Sequence, residues 1–149
     1  MLVKDVMATD IVTCDVGATL QTAVERMLKN DVGSVIVTHS DDPYGILTKT
    51  DALHAGAVTE RPFPDIPVKK VANNPLVTAS KSETVRTAID RMHDKKIKKL
   101  PVVEDLDVVG IITQSDISAH FHSFIREAHA LERGHADWSS NDRVQGFDE

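Results

Sequence analysis

Two short runs in this chain place hydroxyls and a carboxylate at one spacing: Thr48-Lys49-Thr50-Asp51 and Thr113-Gln114-Ser115-Asp116. Each follows an apolar stretch, Gly45-Ile46-Leu47 or Gly110-Ile111-Ile112, and each reads as the start of a helix. Free backbone N–H groups at a helix start attract an anion, typically a phosphate. Thr48, Thr50, Thr113 and Ser115 can add hydroxyl donors, and an ionised Asp51 or Asp116, which only accepts hydrogen bonds, suits a sugar diol. The same Thr-x-x-Asp pattern also serves as a helix cap, in which both side chains satisfy the helix's own N–H groups. Spacing leaves both readings open, because a structural cap would be duplicated as faithfully as a ligand site.

A basic cluster breaks the equivalence of the two runs. Lys95, Lys96, Lys98 and Lys99 surround Ile97, whereas the matching stretch Asn30-Asp31-Val32-Gly33-Ser34 holds no base. Lys95 and Lys96 fall where a helix ends, and the helix dipole accounts for them. Lys98 and Lys99 fall at the next strand, where alternation sends neighbours to opposite faces and so aims one toward a cleft. A solvated basic patch is the plainer reading. Taken as phosphate ligands, the lysines make the cleft of Asp116 the tighter of two.

The elements that must hold these groups come as a duplication. Val3 to Leu53 and Val68 to Ser118 align without a gap at an offset of about 65 residues. Each copy reads strand, helix, strand, strand, helix. In the first, Ile11–Cys14 is a short strand, and Leu20, Ala23, Val24, Met27 and Leu28 recur at helical spacing. Ser34–Thr38 and Tyr44–Thr48 are strands about a turn at Asp41-Asp42-Pro43. In the second, Leu76–Ala79 is the first strand, and Val85, Ala88, Ile89 and Met92 form a helix face with Ser82 as N-cap. Leu100–Val103 and Val108–Ile112 pair across Glu104 to Asp107. Met27 and Met92 read as core. Gly45 and Gly110 let the strand bend or approach another backbone closely.

One unit of this size cannot bury its own apolar faces, so the copies are expected to pack as one pseudo-twofold body with two clefts between them. The fold class is α+β (α/β), two βαββα repeats. The first repeat spans 1–57. A linker, 58–67, carries Pro62, Pro64 and Pro67 and is expected to cross in extended form. The second repeat spans 68–133 and ends in an extended helix marked by Ile117, Phe121, Phe124, Ile125, Ala128 and Leu131. This stripe has no counterpart in the first copy and suits a second subunit or a cover. The polar stretch 134–149, with Trp138, reads as a flexible tail.

With Lys and Arg totalling 17 against 23 Asp and Glu, the chain is acidic, which argues against general nucleic-acid binding. No apolar run spans a bilayer and no signal peptide opens the chain, so a cytoplasmic protein is expected. The single cysteine, Cys14, matches Ala79 in the other copy and reads as a small strand residue. Paired nucleophile and base, zinc spacing and a P-loop are all missing from the sequence, so no catalysis is expected. His120 and His122 fall on different helix faces, which weakens joint metal ligation.

With Val3-Lys4-Asp5-Val6-Met7, Leu100-Pro101-Val102-Val103-Glu104 and the two Gly-Ile-(Leu/Ile)-Thr-x-(Thr/Ser)-Asp motifs, the chain resembles a tandem pair of cystathionine β-synthase (CBS) domains, the Bateman module. The resemblance runs from Leu2 to about Ala119. It implies two clefts that take AMP, ADP or ATP, and in some members S-adenosylmethionine, as a regulatory ligand with no required cofactor. By this resemblance, one cleft uses Asp116 for ribose, Thr113, Ser115, Lys98 and Lys99 for phosphate or ribose oxygens, and Met7, Val12, Val32 and Gly33 around adenine. The other uses Thr48, Thr50 and Asp51 with Val77, Ile97 and Lys98, and there Gly33 and Ser34 bring no charge. The resemblance also implies a homodimer reporting to an unknown effector protein, apart from membranes and nucleic acid. A ligand-free dimerisation or protein-interaction module is the rival reading.

Overall fold

The computed structural model describes residues 1–133, and the expected tail at 134–149 lies outside them. In the first half, α1 (Val3–Val6), β1 (Thr13–Asp15), α2 (Leu20–Asn30), β2 (Ser34–His39), β3 (Asp42–Thr48) and α3 (Lys49–Thr59) follow in order. Two 3₁₀ turns, Phe63–Asp65 and Val68–Lys70, lead to α4 (Val85–Lys95), β4 (Lys99–Glu104), β5 (Asp107–Thr113) and α5 (Gln114–Arg133). β1 runs parallel to β2, and β2 antiparallel to β3. β4 and β5 form the second, antiparallel sheet.

The helix starts follow from their caps. Thr19 Oγ1 accepts from Thr22 N at 3.4 Å, and its counterpart Thr84 Oγ1 accepts from Thr87 N at 3.1 Å. Ser82, the expected cap, sits too early. Its own N–H donates to Ser80 Oγ, and the extended residue next to the first helical turn is Thr84. Both amphipathic helices end in a left-handed residue, Asp31 and Lys96. Their inner faces bury Leu20, Ala23 and Met27, and Val85, Ala88 and Met92, whereas Leu28 and Ile89 are exposed.

Three further expectations shift. The turns are two-residue, at Ser40-Asp41 and Asp105-Leu106, all with positive φ, so Asp42-Pro43 belongs to β3. Left-handed pairs of this kind match the twist of the strands they join. The strand expected at Leu76–Ala79 shrinks to a bridge at Ala79, and its counterpart is seated at Thr13–Asp15. The cause is Pro101. In the first copy Ile36 N donates to Val12 O at 2.9 Å, but Pro101 holds the matching place in β4 and has no N–H to give Val77. The linker is not extended either. Val58 and Thr59 complete α3, residues 63–65 form a 3₁₀ turn with Pro64 in its first turn, and Ile66 is buried. Proline's fixed φ suits a first turn as well as an extended segment.

The halves exchange their leading segments. Val3 is fully buried in the core of the second half, among Ala88, Met92, Leu100 and Ile112. Val68, its counterpart, is fully buried in the core of the first, among Leu20, Met27, Val35 and Leu47. Matching backbone bonds fasten each segment: Val3 N to Glu83 O at 2.9 Å and Val68 N to Ala18 O at 3.0 Å. The two glycines permit the crossing. A Cβ on Gly45 would lie 2.5 Å from Asn73 O, and one on Gly110 would lie 2.7 Å from Met7 Sδ and 2.9 Å from Ala8 O. Both roles expected for these glycines are met: the close backbone approach, and a strand irregularity, since the hairpin register shifts beside each glycine.

Cys14 is buried, and desolvation pushes its thiol pKa up against the pull of Arg26. A buried thiol of raised pKa is inert packing, as its match with Ala79 implied. Among the described residues no helix is long and apolar enough to cross a membrane.

Candidate functional site

Because each half lends a segment to the other, β3 and β5 come side by side and a cleft opens at their ends. Its cavity of roughly 640 Å³ takes Gly33, Thr48, Thr50 and Asp51 from the first half and Val77, Ile97, Lys98 and Lys99 from the second. This size falls within the range of small-molecule sites. Ile46, Lys49, Asn73, Pro75, Lys96 and Pro101 complete the lining and were not expected there. Asn73 had a signal, since it matches Ala8, the neighbour of Met7, which the resemblance had placed near the other cleft.

Thr48 and Asp51 form a complete capping box at the head of α3. Thr48 Oγ1 accepts from Asp51 N at 3.1 Å, and Asp51 Oδ2 accepts from Thr48 N at 2.9 Å. Asn73 Nδ2 also donates to Asp51 Oδ2, at 2.8 Å, tying the crossing segment to the helix start. The capping role is therefore realised. It occupies one carboxylate oxygen, and Oδ1 accepts no hydrogen bond among the described residues. At the head of α5 only half the box is made: Thr113 Oγ1 accepts from Asp116 N at 3.0 Å.

The remaining expected residues lie outside this cavity. Met7 packs over Gly110 and onto the second core. Val12 and Val32 pack against the first core. Ser34 is buried and pairs with Thr48 across β2 and β3. Thr113, Ser115 and Asp116 gather around the start of α5, with Ser115 exposed and Asp116 half-buried.

Alternation does not divide the lysines, because β4 begins at Lys99 and Lys98 precedes it. Both line the cavity, with Lys96 in the left-handed cap of α4 and Lys49 at the start of α3. Four lysines thus face one aspartate in a chain of net charge −6. Such a field concentrates anions. Burial lowers the pKa of Lys99, Lys49 lowers it further, and Asp116 and Asp51 pull it back up. Lys99 makes no ion pair within the described residues. A half-desolvated, unpaired ammonium is what an incoming anion would satisfy.

Known proteins share this architecture. The family model for the CBS domain matches residues 3–58 and again 68–123. An uncharacterized protein of Methanopyrus kandleri is 35% identical over 121 residues, which cover 77% of this chain and 60% of that protein. The chain thus spans about 60% of this relative's length. A solved structure of an uncharacterized conserved protein from Pyrococcus horikoshii superposes with a TM-score of 0.74 at 28% identity, covering 80% of this chain and 91% of that one. The CBS domain pair of protein MJ0100, solved in complex with 5′-methylthioadenosine and S-adenosyl-L-methionine, gives a TM-score of 0.74 at 25% identity, covering 83% of this chain and 98% of that one.

Proposed function

This chain belongs to the CBS domain family, and we propose that it is a regulatory module that binds an adenine nucleotide between its two repeats and passes the bound state to a partner protein. The observation that carries this reading is the cavity walled by both halves, with lysines, a helix start and an aspartate facing it. Binding, not catalysis, is its work. The adenosine ligands of the MJ0100 domain pair support an adenosine compound here. Charge then selects among such compounds. S-adenosylmethionine carries a sulfonium that four lysines repel, whereas the phosphates of AMP, ADP or ATP are attracted.

In this reading the Asp51 cleft is the phosphate-taking one, because Lys98 and Lys99 line it. That reverses the ranking expected from sequence. Asp51 Oδ1 accepts from the ribose, the N–H and hydroxyl of Thr50 with the Lys49 ammonium meet phosphate, since the N–H groups of Lys49 and Asp51 are already bonded to Gly33 O and Thr48 Oγ1, and Val77 and Ile97 flank the base. A second, weaker cleft uses Thr113, Ser115 and Asp116 with Met7, Val12, Val32 and Gly33.

A ligand that binds only the folded state raises its melting temperature. AMP, ATP and S-adenosylmethionine are compared by thermal shift and calorimetry, with Asp51→Ala and Asp116→Ala alongside. Stabilisation by AMP or ATP that Asp51→Ala abolishes is expected. Absence of any shift at millimolar nucleotide would refute the reading.

One observation favours the rival, a docking module. Ile89, Phe121 and Ile125 are exposed on α4 and α5, beside a cavity of roughly 850 Å³ lined by Val85, Met92, Ile97 and Ile117. In our reading this face makes the homodimer, and both functions coexist. Light scattering at micromolar concentration tests it, and a monomer would contradict it.

A further inference from the structure

We infer that Lys99 is one cation shared between the two clefts, so that an anion bound in one weakens binding in the other. The inference rests on the nucleotide reading above for its ligand and for the second cleft at Asp116. By strand register Lys99 belongs to the second repeat, opposite Thr113, the residue that caps the helix of Asp116. Its side chain nevertheless reaches the first repeat. Nζ lies 2.9 Å from where a Cβ on Gly33 would stand, and Lys99 lines the cavity of Thr48 and Asp51. Gly33 is therefore the clearance through which the crossing is made, and any side chain there would displace the ammonium.

Nothing returns the favour. Ser34, the counterpart of Lys99, is buried and too short to cross, and Gly33, the counterpart of Lys98, has no side chain. One lysine thus stands where two-fold symmetry would call for two. Asp51 on α3 and Asp116 on α5 both stabilise its charge, while Lys49 opposes it. Lys98 and Lys96 line the same cavity but are exposed. An anion in either cleft draws the ammonium toward itself, and the other cleft loses its half-buried positive charge.

Two arms test this on the full chain. The first needs no ligand. Titration of the Lys99 ammonium by heteronuclear NMR is compared in wild type, Asp51→Asn and Asp116→Asn. Each substitution alone is expected to lower its pKa, and a response to only one overturns sharing. The second arm is calorimetry with AMP, adenosine as control, on wild type and Lys99→Met, a variant that removes no cap. Wild type is expected to show two AMP events of unequal affinity. Lys99→Met weakens the tighter by about tenfold and narrows the gap, as loss of a charge-assisted bond implies, while adenosine changes by less than about twofold. Unchanged AMP affinities and spacing, or one event in both proteins, overturn the coupling. If neither AMP nor adenosine binds the wild type, the nucleotide reading fails, and the ammonium titration alone decides whether the cation is shared.

Discussion

Replacing Val3 by Ala is expected to loosen the second repeat and leave the first protected, although Val3 precedes the first in sequence. Val3 is fully buried against Ala88, Met92, Leu100 and Ile112, all from the second half. The substitution removes two methyl groups from that core. At about 0.8 kcal/mol per buried carbon, plus a term for the small cavity left behind, the cost is about 1.5–3 kcal/mol. At about 2–4 °C per kcal/mol for a chain of this size, the melting point falls by about 3–12 °C. Val68→Ala is the reciprocal experiment. Val68 is equally buried, but against Leu20, Met27, Val35 and Leu47 of the first half. Native-state hydrogen exchange reads where protection is lost, because sub-global openings are local to cooperative units. Val3→Ala should speed exchange in α4, β4 and β5, and Val68→Ala in α2, β2 and β3. Faster exchange confined to α2, β2 and β3 in Val3→Ala would refute the exchange of segments.

Gly45→Ala should cost about 1–3 kcal/mol by denaturant melting, since its Cβ would meet the Asn73 carbonyl at 2.5 Å and backbone cannot swing aside. Thr84→Ala should cost about 1 kcal/mol as a lost cap, while Ser82→Ala stays within about 0.5 kcal/mol; the reverse order would return the cap to Ser82. Lys99→Met should raise stability at neutral pH. The Lys99 pKa is lowered in the fold from its ordinary 10.5, so the charged form is penalised wherever both states are protonated. That penalty fades as pH rises through the folded pKa toward 10.5, and the advantage of Lys99→Met should shrink over the same window in thermal melts. An advantage independent of pH would show that desolvation of the charge is not the cause.

What the sequence made legible is what repetition and periodicity encode. The duplicated Thr-x-x-Asp runs, the helix faces of Met27 and Met92 and the hairpin strands all sit in the expected kind of element. Effects reaching between the halves were hidden. Val3 and Val68 look alike on the page, and nothing local says that each is buried in the other repeat's core. Pro101 was visible, but its effect on Leu76–Ala79 depends on a parallel bond partner more than twenty residues away. Ser82 and Thr84 are both acceptable caps by type, and the choice falls to where Val85 can reach the core. The side chain of Lys99 crosses because Gly33 has none, a pairing that strand alternation cannot reveal.

The competition between cap and ligand site at Asp51 dissolves once its two oxygens are counted separately. Oδ2 takes both Thr48 N and Asn73 Nδ2, which fixes the rotamer of the side chain, and Oδ1 takes nothing among the described residues. A carboxylate held in this way loses little freedom when a diol arrives, so the cap lowers the entropic cost of binding. The Asn73 bond adds a second consequence. Asn73 lies on the segment that the second repeat lends to the first, and its N–H and C=O pair with Ile46 at 2.8 and 3.0 Å. In the proposed reading, the group that would meet the ligand is therefore braced by the segment that joins the halves. If that reading holds, occupancy of the cleft would bear on the packing of one repeat against the other. The cap and the proposed sensor need the same residue held in the same place, and the crossing segment holds it there.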